Sequence, residues 1–349
     1  MKKTILALAA VATMVACSKD EIVNEAPKVP IAFNNAFVEN TTRAIDGTYN
    51  NSNKPSNFLV YGYTQGDETS AQPVTIFNAV DVEYKTNSSS YEYDAKYTQY
   101  WIDGNKYGFA ALVNADDDKL EKNGNGLPSK VTFTSDSEKD LLYATSNVDN
   151  VTPNYDTPVA FTFDHLLSKV HITFKNTITT NSDVNKYTYK VTNIFIDNAI
   201  SVADCDLETK TWSNHEASNS LVVNFGNITN KTNDNDSSDA IEVGAVGTEA
   251  SATSHYARLL IPGNYNAVGN NPQKMTLIFT VETLINNQSV DVRNHKLVVD
   301  KELEAGHAYN FIISKGAPGK QIKFTVQEVN EWNTDHNNDG DKLDNTPLS

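Results

Sequence analysis

The sequence predicts an all-β protein built as two sandwich domains, and three observations point there. Val, Thr, Tyr and Phe recur in short runs separated by Asn, Asp, Gly and Ser, the composition of strands joined by turns. No segment longer than about ten residues carries a convincing apolar period of 3.6. The chain has 349 residues, enough for about two domains of ordinary size. Its 39% hydrophobic and 21% charged residues are compatible with globular cores.

Residues 1–16 place Lys2 and Lys3 before the apolar run ILALAAVATMVA, too short to span a bilayer and suited to a secretory leader. Met14-Val15-Ala16-Cys17 resembles a lipobox, so Cys17 is the expected lipidation site and the mature N-terminus. The charged SKDEIVNEAPK stretch that follows is a tether. Asp20-Glu21, just behind the lipid site, resembles the surface-export signals of some Gram-negative lipoproteins. Val29, Ile31 and Phe33 then alternate onto one face. Asn34-Asn35 breaks the register, and Phe37 is expected to resume that face after a bulge. Pro30 cannot donate a ladder bond, which makes this an edge strand or a strand start. Asn40 to Pro55 is a polar, turn-rich stretch, with Arg43 near its start.

Strand-like runs follow at Phe58–Tyr63, Val74–Phe77, Val80–Tyr84, Tyr107–Val113, Val131–Thr134 and Leu141–Thr145. Pro153 and Pro158 bracket a break, so the expected units are residues 44–157 and 158–349. The second half adds Val159–Phe163, Lys169–Phe174, Tyr187–Val191, Ile194–Asp197, Leu221–Phe225 and Ile241–Val246. It ends with Tyr256–Ile261, Met275–Glu282, Lys296–Asp300, Tyr309–Ile313 and Ile322–Val326. These amount to roughly fifteen strands, without the short-period repeat of a solenoid or propeller.

Charge excludes one class of partner. The formal net charge is −16, and loss of Lys2 and Lys3 with the leader leaves 26 basic against 44 acidic residues, or −18. Nucleic acid is opposed electrostatically. With Cys17 lipidated, Cys205 has no intramolecular partner, so no disulfide framework exists and Cys205 is a core filler.

Catalytic templates fail. The chain has no G-x-S-x-G elbow, H-E-x-x-H pair, Walker loop or helix-opening G-x-G-x-x-G, and Gly316–Lys320 reads as a turn. The seven His residues match no zinc spacing, and nothing nominates a glycosidase carboxylate pair. No enzyme activity and no cofactor are expected. Asp335, Asn337, Asp339 and Gly340 follow the first half of a calcium loop, but Thr346 stands where the bidentate carboxylate belongs. A solvated acidic tail is the alternative there. Tyr91, Tyr93, Tyr97, Tyr100 and Trp101 form either a sugar-stacking platform or cross-strand core packing.

Three motifs, in order, resemble the Mfa-like fimbrillins, the subunits of type V pili and their relatives. They are Tyr100-Trp101-Ile-Asp-Gly104 leading to Tyr107-Gly-Phe109-Ala110-Ala111; Asp140-Leu-Leu-Tyr-Ala144 with Pro158 to Val170 around His165; and Ala305-Gly-His-Ala-Tyr309-Asn-Phe-Ile-Ile313. The Trp101 motif lacks the Pro that often follows Trp in relatives. The resemblance implies two tandem transthyretin-like β-sandwich domains behind a lipoprotein signal peptide, exported to the outer membrane. It also implies cutting by an Arg-specific protease, carried over by position to Arg43 and Ala44, with Val29, Ile31, Phe33 and Phe37 on the strand removed. A donor strand from another fimbrial subunit then fills the groove. The candidate donor is the alternating Ile322, Phe324 and Val326, extended by Val329 and Trp332. The expected function is a fimbrial pilin supporting adhesion. The competing expectation is a non-polymerising surface lipoprotein that binds glycan or a host ligand.

Overall fold

The computed structural model describes residues 28–34, 36–38, 54–178, 187–216, 221–225, 241–243, 249–251, 257–264 and 274–329. Among these, chain order begins with β1 (Phe37–Val38), β2 (Asn57–Gln65), β3 (Val74–Lys85), β4 (Ser90–Glu92) and β5 (Lys106–Val113). Next come β6 (Leu120–Lys122), β7 (Pro128–Thr134), β8 (Leu142–Val148), β9 (Thr162–His165) and β10 (Ser168–Asn176). Then follow β11 (Tyr187–Ala199), β12 (Val202–Asp206), β13 (Thr211–Glu216), β14 (Leu221–Asn224), β15 (Ile241–Val243) and β16 (Glu249–Ser251). The last are β17 (Arg258–Leu260), β18 (Thr276–Ile285), β19 (Gln288–Val298), β20 (Ala308–Lys315) and β21 (Lys323–Val329). The only helical elements among the described residues are two three-residue 3₁₀ turns, so the all-β expectation holds.

Four sheets result. A seven-stranded sheet runs β1-β9-β8-β5-β2-β3-β4, and a four-stranded sheet runs β13-β12-β7-β6. Two five-stranded sheets run β16-β10-β20-β21, with β17 also on β10, and β14-β11-β18-β19, with β15 also on β11. All pairings are antiparallel except β1 with β9 and β10 with β20.

Two expected pairs of short strands are each one long strand. Val74–Phe77 and Val80–Tyr84 merge into β3 across Ala79, whose φ of 55° kinks the strand opposite a register shift in β2. Tyr187–Val191 and Ile194–Asp197 merge into β11 across Asn193, φ 51°, at a bulge against β18. A left-handed residue interrupts the alternation of side chains without ending the ladder. The expected Lys296–Asp300 strand is instead the tail of β19, which starts at Gln288 straight after Asn286-Asn287. Both asparagines have positive φ, 49° and 63°, the signature of a two-residue hairpin turn.

Burial explains the unbroken apolar runs. In β5, Tyr107 to Val113 are all buried, because one face of the seven-stranded sheet joins one core and the other face joins a second. Phe109, Ala111 and Val113 pack with Phe58, Val60 and Phe77, whereas Ala110 and Leu112 join Tyr61, Tyr143 and the core of the second half. Three pairings cross the expected division at 157/158: β9 adds to β1 and to β8, and β12 adds to β7 with Cys205 opposite Val131.

Candidate functional site

The described part of the N-terminal segment, residues 28–34 and 36–38, lies between two other stretches of backbone. On one side Ile31 N–H donates to Gln99 O at 2.8 Å and Trp101 N–H donates to Val29 O at 3.0 Å, an antiparallel bridge centred on Pro30 and Tyr100. On the other side Val159 N–H donates to Ala32 O at 2.8 Å and Asn34 N–H to Val159 O at 2.9 Å. Phe37 N–H then donates to Phe161 O at 2.9 Å, where β1 runs parallel to β9. Pro30 is tolerated because the groups that bond here belong to Val29 and Ile31. The Tyr93 hydroxyl adds a bond to Ile31 O at 2.5 Å.

Side chains on the inner face complete the fit. Ile31, Phe33 and Ala36 are buried, and Val29 packs against the same core half-buried. The Phe33 ring centroid lies 5.3 Å from Phe77, 5.6 Å from Tyr93, 6.0 Å from Phe161 and 6.1 Å from Phe109. Burial of a side chain such as Ile or Phe stabilises by about 1.5–3 kcal/mol, and each main-chain bond by about 0.5–1.5 kcal/mol net. The segment thus fills an aromatic trough bordered on both sides by the backbone groups that bond it. Such a trough is a template for β-addition.

Phe37 does not resume the inner face. The inward position passes from odd to even numbers after Phe33, so Ala36 is buried in the core and Phe37 is 43% exposed. Lys54 Nζ, 5.7 Å from the Phe37 ring centroid, is the cation that covers it.

The aromatic cluster divides. Tyr91 and Trp101 are buried, with Trp101 edge-on to Tyr107 at 4.7 Å and Tyr155 at 4.9 Å, whereas Tyr97 and Tyr100 are exposed. The turn is held by Ile102 N–H donating to the Tyr107 hydroxyl at 2.8 Å. A groove of about 550 Å³ opens beside Trp101, with Val29, Tyr100, Ile102 and Tyr155 on its walls.

The candidate donor strand is seated in its own chain. β21 is the edge strand beyond β20, and Ile322, Phe324 and Val326 are half-buried against the second-half core. Phe324 meets Phe311 edge-on at 5.7 Å. Val329 ends β21. Cys17, Arg43, Ala44, Trp332 and the calcium-loop residues Asp335, Asn337 and Asp339 lie outside the described residues.

Cys205 is fully buried, and burial, followed by the Asp206 carboxylate, pushes its thiol up to about 12. Among the described residues no three His, Cys, Asp or Glu side chains converge as metal ligands. One contact not anticipated from the sequence is the buried pair Asp140 and His165, Oδ2 to Nδ1 2.6 Å. Both residues lie in the second motif quoted above, but their contact depends on how β8 and β9 pair.

Comparison with known proteins gives a consistent picture. The fimbrillin-like family profile matches residues 42–332. A fimbrial protein from Bacteroides vulgatus ATCC 8482 superposes with a TM-score of 0.59 at 15% identity, over 87% of this chain and 99% of its own. A candidate cell adhesion protein from Bacteroides ovatus ATCC 8483 gives a TM-score of 0.45 at 15% identity, over 86% and 98%. One from Bacteroides uniformis ATCC 8492 gives 0.40 at 17% identity, over 85% and 97%. No curated protein matches the sequence.

Proposed function

The chain belongs to the fimbrillin-like family, and on that premise we propose that it is a structural subunit of a cell-surface fimbria whose N-terminal segment is a removable strand. One observation carries this reading: residues 29–37 are hydrogen-bonded on both sides and bury Ile31 and Phe33 in the first core. The subunit reaches the outer membrane as a lipoprotein anchored through Cys17. An Arg-specific protease cuts between Arg43 and Ala44, and the segment leaves. A strand from another subunit then takes over the vacated bonds, running parallel to Val159–Phe163 as the native segment does. The Ile322–Val329 edge is the donor, since its half-buried Ile322, Phe324 and Val326 alternate to suit the Ile31 and Phe33 positions and give up less burial on leaving than an inner strand does. Head-to-tail repetition of this exchange yields a fibre that supports adhesion.

The test is treatment of purified precursor with an Arg-specific protease, with the new N-terminus sequenced and the product run unboiled in SDS. A chain beginning at Ala44 and a ladder of SDS-resistant oligomers are expected. A clean cut at Arg43 with no ladder overturns assembly by strand exchange. A second reading, a non-polymerising surface lipoprotein that binds glycan or a host ligand, draws on the groove beside Trp101 and the exposed Tyr100 and Ile102. Glycan binding by uncut precursor, lost in Tyr100→Ala, favours that reading instead.

A further inference from the structure

β19 is the last strand of its sheet, and the face it shares with buried Val281 and Thr283 carries Asp291, Arg293, His295 and Leu297. Charged inward residues on an edge strand discourage pairing with other chains. That role does not require cations to converge from a second sheet, and here they do. The end of β20 and the turn that follows overhang the same space, adding Lys315 and Lys320, and the Tyr189 hydroxyl pins the turn by donating to Gly316 O at 2.6 Å. The cleft so formed has a volume of about 390 Å³, within the range of small-molecule sites.

Its charge is unbalanced. Asp291 Oδ2 takes the Arg293 Nε–H at 2.8 Å, which leaves the two lysines without an acidic counterpart. Lys315 Nζ donates to the Lys320 carbonyl at 3.3 Å and lies 5.7 Å from the Tyr189 ring centroid. Among the described residues no carboxylate lies within ion-pair distance of Lys315 or Lys320. Burial and then Arg293 push the Lys315 ammonium below its ordinary range. Burial, Lys315 and Arg293 do the same to the His295 imidazole, which stacks on Phe279 at 5.4 Å. On a chain of net charge −16, this is a local positive field waiting for a counter-ion.

We propose that this cleft is an oxyanion site, in which Arg293, Lys315 and Lys320 clamp a carboxylate, sulfate or phosphate carried on a ligand of about monosaccharide size. The fork of Arg293 supplies paired donors, the lysines supply point charges, and the Val281 and Leu297 side chains give the carrier an apolar floor.

The test is an NMR titration of the full chain, labelled at its histidine rings, with glucuronate, sodium sulfate, inorganic phosphate and glucose at constant ionic strength. At least one of the three anions is expected to shift the His295 ring and raise its pKa, with glucose inert, and the anion that binds identifies the group recognised. Arg293→Gln and Lys320→Ala, both in exposed positions, each weaken that binding by about tenfold, the loss of one charge-assisted bond. Lys106→Ala, on β5, leaves it unchanged. Anions no better than glucose, or variants that bind like the parent, overturn the proposal. Anion binding that appears only in a chain ended at Val329 also overturns it, because the acidic residues Asp335–Asp344 are then the occupant.

Discussion

Nδ1 of His165 sits 2.6 Å from Oδ2 of Asp140, and both side chains are buried. Asp140 stands two residues ahead of β8, and His165 closes β9 opposite Leu142. Leu166 N–H, donating to Leu141 O at 3.0 Å, reinforces the junction. The pair therefore fixes the strand beside which the N-terminal segment lies.

Asp140→Ala removes the carboxylate from a buried histidine and is expected to cost about 1–3 kcal/mol. Urea unfolding of the variant reads this as a lower midpoint at unchanged slope. Hydrogen exchange locates the loss at β9 and residues 31–37. A variant as stable as the parent sinks the staple role.

Phe33 and Phe37 separate the two faces of the segment. Phe33→Ala empties a fully enclosed position, and a loss of about 3–5 kcal/mol is expected, as in other cores. Phe37→Ala touches an exposed ring and is expected to change stability by less than about 0.5 kcal/mol. Thermal melts of the two variants decide it, and equal losses contradict the one-residue shift between Phe33 and Ala36.

Phe324→Ala acts on a half-buried edge strand, so its cost is expected to be roughly half of the 3–5 kcal/mol of a buried Phe. Under the proposed assembly its larger effect is expected there: a folded chain that is cut yet forms no SDS-resistant ladder. Amide exchange of the parent is expected to be faster in β21 than in β10, which lies inside its sheet. Ladders from Phe324→Ala matching those of the parent remove β21 as the donor.

High pH is expected to unfold the protein in a defined window. Burial, with Glu208 and Asp206 adding to it, pushes the Tyr143 phenol up to about 12. Burial does the same, to about 12, for Tyr189 and Tyr309. These phenols ionise near 10 once the chain is unfolded. The unfolded state therefore loses protons first, so their contribution is intact below pH 10 and is lost as pH rises through about 12. Tyrosinate absorbance and circular dichroism, followed together, should change together in that interval. Ionisation of Tyr143, Tyr189 and Tyr309 near pH 10 in a still-folded chain, followed residue by residue by NMR, contradicts it.

The all-β class was legible because strand residues and turn residues alternate along the whole chain, and most expected runs lie within or against real strands. What escaped was where alternation and pairing part company. Ala79 and Asn193 turn left-handed and looked like strand ends. Gln288–Asn294 mixes polar residues with the exposed Val290 and Val292 because it forms an outer edge, although Asn286-Asn287 already announced the hairpin. Inner-face Phe33 followed from simple alternation, whereas the shift that buries Ala36 depends on contacts more than 120 residues downstream, at Val159 and Phe161. Arg293 and His295 share one face by period two, but their convergence with Lys315 is a product of sheet packing that spacing cannot encode.

The insertion of residues 29–37 between Gln99–Trp101 and Val159–Phe161 also bears on the order in which the molecule comes together. Its partners are made long after it, and closing a loop from Phe33 to Val159 costs entropy that only a nearly finished body can offset. β2, β3, β5 and β8 pair with one another without it. A segment made before all of its partners is thus expected to be the last to find its seat, and a chain without it would stand one strand short of completion.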